Sequence, residues 1–146
     1  MVMEWAPGGT LANLLSSTDG PLYWADPLLR LASDVARGMV YLHTREYVDD
    51  VDGQLKRSII HRDLKPPNIL LTEYNSGKLA DFGSSKAQFS DDSAVLHTAV
   101  GTPMFVAPEV MRGEKYTELL DVYSFGVLLA TMAVPGGKIT AFFHEW

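Results

Sequence analysis

The segment I-I-H-R-D-L-K-P-P-N-I-L-L, residues 59–71, restricts what this chain can fold into more than any other part of the sequence. Its apolar ends, Ile59–Ile60 and Ile69–Leu71, predict two short buried strands. Pro66 and Pro67 limit the backbone angles of the loop between them. That loop carries the polar residues His61, Arg62, Asp63, Lys65 and Asn68. Because the core holds both of its ends, we interpret the loop as a place for chemistry rather than for stability alone.

Two further motifs follow in order, D-F-G at residues 81–83 and A-P-E at residues 107–109. Together with H-R-D-x-x-x-x-N at residues 61–68 they fix ten positions. A random match at that many positions has a probability of about 10⁻¹³ before placement is considered. In this order the motifs resemble the catalytic loop and neighbouring segments of eukaryotic protein kinases. The resemblance implies an α+β, protein-kinase-like fold that is truncated and consists mostly of the helical C-terminal lobe with short β-hairpins.

The composition limits the classes of protein that need to be considered. The chain has 146 residues, 47% of them hydrophobic, which is enough for one domain with a core. Its net charge is −6 and no basic segment stands out, so we expect no nucleic-acid partner. Without cysteine, disulfides and cysteine metal sites are excluded. The longest apolar run, residues 125–134, is too short for a bilayer, and the first residues do not resemble a signal peptide. We therefore expect a cytoplasmic chain without a membrane segment, and leave open an anchor upstream.

The first ten residues, M-V-M-E-W-A-P-G-G-T, predict a strand over residues 1–5, then a turn, then a short helix capped by Thr10. They also resemble the last strand of the kinase small lobe and the hinge that follows it. The resemblance implies that Met3 is the gatekeeper residue and that the backbone of Glu4 and Ala6 binds adenine. It also implies that Thr10 lies near the ribose, and a plain helix cap is the alternative for Thr10.

Asp26 and Pro27 predict the start of a longer helix, with a capping side chain and a proline in the first turn. Arg30, Asp34 and Arg37 take one face of it. Apolar residues recur at helical spacing along the opposite face, which we predict to be core: Leu28, Leu31, Ala32, Val35, Met39 and Leu42. This helix resembles the one that supports the catalytic loop in the kinase large lobe.

Residues 44–58 are polar and form a longer link than kinases usually have here, so we predict a solvated insertion loop. The acidic side chains at residues 49–52 suggest a calcium loop with Gly53 at its turn. An EF-hand in that register would need acids where Val48 and Ile59 stand. We therefore reject a calcium site.

The kinase resemblance assigns roles to the polar residues of the catalytic loop. It implies that Asp63 is the base that accepts the proton of the substrate hydroxyl. Positioned general-base catalysis typically contributes about 10²–10⁴-fold. Lys65 would neutralise the γ-phosphate, and Thr102 would bond to both Asp63 and Lys65. His61 would have a structural role rather than a catalytic one.

The same resemblance implies a site for ATP and Mg²⁺. Asn68 would hold one Mg²⁺ through its amide oxygen, and Asp81 would chelate Mg²⁺ between the β- and γ-phosphates. Leu70 would form the floor under adenine. Phe82 would pack so as to set the active or inactive state.

Residues 84–100 carry several hydroxyl side chains and little hydrophobic pattern, and they resemble an activation loop. Ser90, Ser93 and Thr98 are candidate phosphorylation sites, which Arg62 would bind. The alternative for each of the three is an ordinary solvated side chain.

Residues 118–132 predict a helix that is apolar on all sides and therefore buried. A charge on such a helix is costly unless it is hydrogen-bonded. The kinase resemblance implies that Asp121 anchors the backbone of the catalytic loop. A solvated carboxylate in the first helical turn is the alternative.

G-T-P at residues 101–103 and Lys65 resemble serine/threonine kinases, and D-V-Y-S-F-G resembles their tyrosine-kinase-like group. The implied activity is transfer of the γ-phosphate of ATP to a serine or threonine hydroxyl of a protein. We assign residues 1–132 to a partial kinase domain and residues 133–146 to a divergent tail. The sequence contains no G-x-G-x-x-G loop, so we expect the chain alone to be inactive or nearly so. The alternatives are a kinase-derived binding or regulatory module and an incomplete gene model.

Overall fold

Helix α2, Leu28–Thr44, lies at the centre of the core. The computed structural model describes residues 3–17, 22–48, 53–82, 86–87 and 103–139. The helices besides α2 in these ranges are α1 (Leu11–Ser16), α3 (Pro108–Met111) and α4 (Leu119–Ala133). The strands are β1 (Glu46–Val48), β2 (Leu55–Arg57), β3 (Ile59–Ile60), β4 (Ile69–Leu71), β5 (Gly77–Leu79) and β6 (Lys86–Ala87). They pair antiparallel as β1–β2, β3–β6 and β4–β5. Helices together with separate strand pairs agree with the predicted α+β class.

The apolar stripe of α2 is buried as predicted from its spacing. The same cluster takes in side chains from α1, β4 and α4, among them Leu11, Ile69 and Leu128. The predicted cap by Asp26 is wrong, because Pro27 occupies the N-cap position and no side chain caps the helix. Asp26 lies one residue earlier, where its carboxylate pairs with Arg30 at 3.5 Å instead.

Strands β4 and β5 form a hairpin that packs on α2, with Ile69 opposite Leu79. In the turn between them, the backbone nitrogen of Thr72 donates to the Ser76 carbonyl at 3.0 Å. Asp34 lies on the face of α2 opposite the apolar stripe, as predicted, and its carboxylate accepts a hydrogen bond of 2.9 Å from the backbone nitrogen of Gly77. This polar side chain therefore fastens the hairpin to the helix.

The predicted insertion loop contains regular structure, because β1 and β2 form a hairpin within it. Val48 lies opposite Leu55, and the backbone nitrogen of Ser58 donates to the carbonyl of Arg45 at 3.0 Å at the base of the hairpin. The apolar pair is short and stands among charged residues, so no strand period is visible in the sequence. Residues 49–52, on which the rejected calcium hypothesis rested, lie outside the described residues.

Two more strand predictions need correction. Residues 3–6 are irregular rather than part of a strand, and none of the described strands lies alongside to pair with them. Lys86–Ala87 fall in the predicted activation loop, yet they form β6 and pair with β3. Both cases depend on whether a partner strand is present, which local sequence does not report.

Helix α4 lies where it was predicted, but the prediction that it is buried on all sides is wrong. Leu119, Val122 and Tyr123 are 65%, 50% and 41% exposed. The described elements pack against its opposite face, which carries the buried Leu120 and Leu128. Within the described ranges, no helix is both long and apolar enough to cross a bilayer.

The buried face of α4 also carries Asp121, whose side chain is fully buried. Its carboxylate accepts hydrogen bonds of 2.8 Å from the backbone nitrogens of His61 and Arg62. The ring nitrogen Nε2 of His43, in the last turn of α2, lies 2.8 Å from the same carboxylate. The alternative of a solvated first-turn carboxylate is therefore wrong. Asp121 ties α2 and α4 to the segment that follows β3.

We predict that Asp121→Asn destabilises the protein. Asparagine keeps the shape of the side chain but loses the charge and one acceptor oxygen, so at least one of the converging donors loses its partner. We expect the free energy of unfolding, measured by urea denaturation, to fall by about 1.5–3 kcal/mol. Glu114→Gln, at an exposed carboxylate paired with Arg112, is the control and should cost less than about 1 kcal/mol. Equal stability of Asp121→Asn and the unmutated protein would contradict the tether.

Candidate functional site

The polar residues of the loop between β3 and β4 lie together around the carboxylate of Asp63. The ammonium of Lys65 is 2.8 Å from Asp63 Oδ1. The amide nitrogen of Asn68 donates to Asp63 Oδ2 and to the Asp63 carbonyl, each at 2.8 Å. Three residues that the sequence analysis assigned to catalysis are thus brought into one site. The Asp63 side chain is 32% exposed, so it is open to a partner from solution.

The backbone explains why these side chains converge. Pro66 and Pro67 begin a single 3₁₀ turn, Pro66–Asn68, because proline suits the first positions of a helical turn. The backbone nitrogen of Asn68 donates to the Lys65 carbonyl at 3.0 Å. This turn folds Asn68 back over Asp63, while β4 continues directly into the core.

Two interactions join this loop to the D-F-G motif. The ring nitrogen Nε2 of His61 lies 3.0 Å from the Ala80 carbonyl, and its ring is 5.3 Å from that of Phe82. The Ala80 nitrogen donates to the carbonyl of Asn68 at 2.9 Å. His61 is fully buried, which suits the structural role assigned to it. Asp81 comes next in the chain, with a φ of 63° and an exposed side chain.

Asn68 and Asp81 have the donor atoms that Mg²⁺ prefers. Both amide protons of Asn68 are used on Asp63, so its amide oxygen is the atom that remains for a cation. Asp81 adds a carboxylate. One amide and one carboxylate suit Mg²⁺, which usually keeps waters and takes further ligands from phosphates. The residues present therefore fit the predicted metal.

The predicted hinge lies against β4, close to Leu70. The nitrogen of Gly8 donates to the Leu71 carbonyl at 2.8 Å, and the Leu71 nitrogen donates to the Gly9 carbonyl at 2.9 Å. Thr10 forms an isolated bridge with Leu70. A Cβ atom at Gly8 would lie 2.7 Å from the carbonyl oxygen of Leu71, so glycine permits this close approach.

The side chains of the predicted hinge residues face solvent or contact other parts of the protein. Met3 is 70% exposed, and the Glu4 carboxylate pairs with Lys78 at 2.6 Å. Ala6 is half-buried. The Thr10 hydroxyl accepts from the Asn13 nitrogen at 3.1 Å, so the alternative of a helix cap explains it. The gatekeeper, adenine and ribose contacts of these residues stay predictions.

The regulatory residues are only partly described. The guanidinium of Arg62 donates to the Tyr116 hydroxyl at 3.0 Å, and its backbone φ is 68°. Ser90, Ser93, Thr98 and Thr102 lie outside the described residues. Their roles, and the capture of a phosphate by Arg62, remain predictions.

Two residues that support the site were not predicted from the sequence. His43 binds Asp121, and Tyr116 binds Arg62. His43 could have been found, because it lies four residues after Met39 and extends the buried stripe of α2. No comparable signal marks Tyr116, which stands in an irregular segment before α4.

Comparison with known proteins agrees with this geometry. Residues 1–138 match the protein kinase domain family. The chain is 39% identical to the probable serine/threonine-protein kinase drkA of Dictyostelium discoideum over 126 residues, which are 86% of this chain and 17% of that protein. It is 40% identical to the G-type lectin S-receptor-like serine/threonine-protein kinase RLK1 of Arabidopsis thaliana over 129 residues, 88% of this chain and 14% of that protein.

A third relative, cyclic GMP-binding protein C of D. discoideum, is 37% identical over 152 aligned positions, which cover 100% of this chain and 5% of that protein. The chain therefore spans less than a fifth of the length of these curated relatives. The family match, in contrast, covers nearly the whole chain. On this match and on the arrangement of Asp63, Lys65 and Asn68, the chain belongs to the protein kinase family.

Proposed function

We propose that the protein containing this chain is an ATP-dependent serine/threonine protein kinase. The observation that carries the proposal is the partly exposed Asp63 carboxylate, held between Lys65 and Asn68 on a loop fastened to the core. The relatives named above support the choice of serine and threonine as acceptors, since two of them carry that activity in their names. Protein kinases as a family use ATP and Mg²⁺.

Asp63, Lys65 and Asn68 have different roles in the proposed phosphoryl transfer. Asp63 accepts a hydrogen bond from the substrate hydroxyl, orients it, and takes its proton as the new phosphate–oxygen bond forms. Lys65 lies beside Asp63 and balances negative charge on the phosphoryl oxygens during transfer. Asn68 holds Asp63 in place through its amide protons. The proton ends on Asp63, and ADP leaves with the electrons of the broken bond.

ATP and Mg²⁺ would occupy the side of the loop that faces Asp81 and the hinge. Asn68 and Asp81 would hold the cation, which neutralises charge on the phosphates when bound. The backbone of Glu4 and Ala6 would bind adenine, with Leu70 beneath it and Thr10 near the ribose. The bonds from residues 8–10 to β4 support this placement, because they hold the hinge beside Leu70.

The domain assignment is part of the same proposal. Residues 1–132 would run from the hinge to the end of the helix that carries Asp121, which ends at Ala133. Residues 133–146 would form a separate tail. The absence of a G-x-G-x-x-G sequence from this chain leads us to expect weak transfer by these residues alone. A cytoplasmic location, where ATP and protein substrates are available, completes the proposal.

The first test is the activity of Asp63→Asn in the full-length protein. Asparagine cannot take the hydroxyl proton, so we expect transfer of labelled γ-phosphate to protein serine and threonine to fall by about 10²–10⁴-fold. Asp26→Asn, at an exposed carboxylate outside the site, serves as the control and should keep full activity. Unchanged transfer by Asp63→Asn, or label found on tyrosine alone, would contradict the proposal. Nucleotide binding without any transfer by the unmutated protein would favour the binding-module alternative.

A second prediction concerns the hinge. Gly8→Ala places a Cβ atom 2.7 Å from the carbonyl oxygens of Leu71 and Thr72, and these backbone atoms cannot move aside cheaply. We expect the hinge to shift from β4 and the affinity for Mg²⁺-ATP, measured by calorimetry, to fall at least about tenfold, the equivalent of 1.4 kcal/mol. Gly126→Ala, where an added Cβ meets nothing within 4 Å, is the matched control. Equal affinities for the two variants would show that adenine does not depend on this contact.

A further inference from the structure

The side chain of Tyr116 joins the irregular segment before α4 to the catalytic loop. Its hydroxyl oxygen accepts a hydrogen bond of 3.0 Å from the guanidinium of Arg62, a residue 54 positions earlier in the chain. Both side chains are partly buried. A hydrogen bond from a charged donor is stronger than one between neutral groups, and a partly buried one is stronger than one in open water. The bond therefore links two distant segments at the residue that precedes Asp63.

The ring of Tyr116 is held separately from its hydroxyl. It packs against a buried apolar cluster formed by Ile60, Ala107 and Leu120. These three residues belong to β3, to the N-cap position of α3 and to α4. Tyrosine is a rigid side chain with few torsions, so packing of the ring also fixes the hydroxyl oxygen. That oxygen is consequently a fixed acceptor for the arginine.

Arg62 is a residue that needs such an anchor. Its φ of 68° lies in the left-handed region, which is unfavourable for a residue with a side chain. Its backbone nitrogen is held by the carboxylate of Asp121 at 2.8 Å. The arginine side chain, however, is long and flexible by nature. The bond to Tyr116 holds its far end, so that Arg62 is fixed at the backbone and at the tip of the side chain.

The contacts of Asp63 come mainly from residues that follow it in the chain. Lys65 and Asn68 both contact its carboxylate. On its N-terminal side, the backbone nitrogen of Asp63 lies 3.3 Å from the ring nitrogen Nδ1 of His61, which is long for a hydrogen bond. The peptide that precedes Asp63 therefore depends for its orientation on how firmly Arg62 is held.

We propose that Tyr116 is a positioning residue, which keeps Asp63 in its reactive orientation by holding the side chain of Arg62. The proposal rests on the proposed kinase function and adds a residue to it that touches neither nucleotide nor acceptor. Its effect on transfer would arise from geometry alone. A displacement of about 1 Å at a reacting group can cost about 10²-fold in rate, so a looser loop should be visible in the kinetics.

The first test measures hydrogen exchange in the full-length protein without ATP. Tyr116→Phe keeps the ring in the apolar cluster and removes only the hydroxyl. We expect the amides of residues 59–65 to exchange about two- to tenfold faster, the factor that loss of one hydrogen bond represents. Exchange within α2 should stay the same. Tyr74→Phe, the same change at a side chain that is 75% exposed, is the matched control and should alter neither segment.

The second test measures phosphate transfer by the same variants. We expect kcat to fall by about two- to tenfold in Tyr116→Phe, with the KM for ATP unchanged. Arg62→Met removes the guanidinium, so adding Tyr116→Phe to it should lower kcat no further. A hydroxyl that acted only on the stability of the fold would lower kcat in both backgrounds. Tyr74→Phe should retain the kcat of the unmutated protein.

The remaining outcomes overturn the proposal. These are unchanged loop exchange in Tyr116→Phe, exchange that rises equally in α2, an unchanged kcat, and an equal loss of kcat with and without the Arg62 guanidinium. Because the exchange measurement needs no transfer, it is separate from the Asp63→Asn test. Faster loop exchange in a protein whose unmutated form transfers no phosphate would keep Tyr116 as the anchor of the loop and refute the kinase activity.

Discussion

The hydrogen bonds to the buried carboxylate of Asp121 are the interaction on which the rest of the site depends. Burying a charge is expensive unless its lone pairs are satisfied, and here three donors from two different segments satisfy them. Two of these donors are backbone nitrogens at the start of the catalytic loop. One of them belongs to Arg62, whose φ of 68° is unfavourable for a residue with a side chain. Asp121 therefore holds the loop in a conformation that the loop would not keep by itself.

Further hydrogen bonds connect this tethered loop to the residues proposed to hold Mg²⁺. His61 follows β3, lies fully buried, and reaches the Ala80 carbonyl and the ring of Phe82. The Ala80 nitrogen returns to the carbonyl of Asn68. Asp63, Asn68 and Asp81 thus lie on segments that are joined by buried hydrogen bonds. In the proposed function, this arrangement would reduce the reorganisation needed as charge develops during phosphoryl transfer.

The residues of the site could be predicted from the sequence more readily than the structure around them. The loop residues were found because their spacing is dictated by chemistry, and the stripe of α2 because helical burial has a fixed period. The β1–β2 hairpin, the strand β6 and the exposed face of α4 were missed for a shared reason: each depends on which segment lies alongside. Asp34 shows the same limit on a small scale, since nothing local to α2 reveals that its carboxylate binds Gly77. The role of Asp121 followed from family resemblance, whereas its third partner, His43, needed the structure.

A crystal structure of the protein with Mg²⁺ and a non-hydrolysable ATP analogue is the most direct test of the proposed site. We predict a cation about 2.0–2.1 Å from the amide oxygen of Asn68 and from the carboxylate of Asp81. We also predict that adenine lies at the backbone of Glu4 and Ala6 with Leu70 beneath it, and that the terminal phosphate lies beside Lys65. A nucleotide bound elsewhere, or a cation whose protein ligands do not include Asn68 and Asp81, would contradict the claim that this tethered loop is a phosphoryl-transfer site.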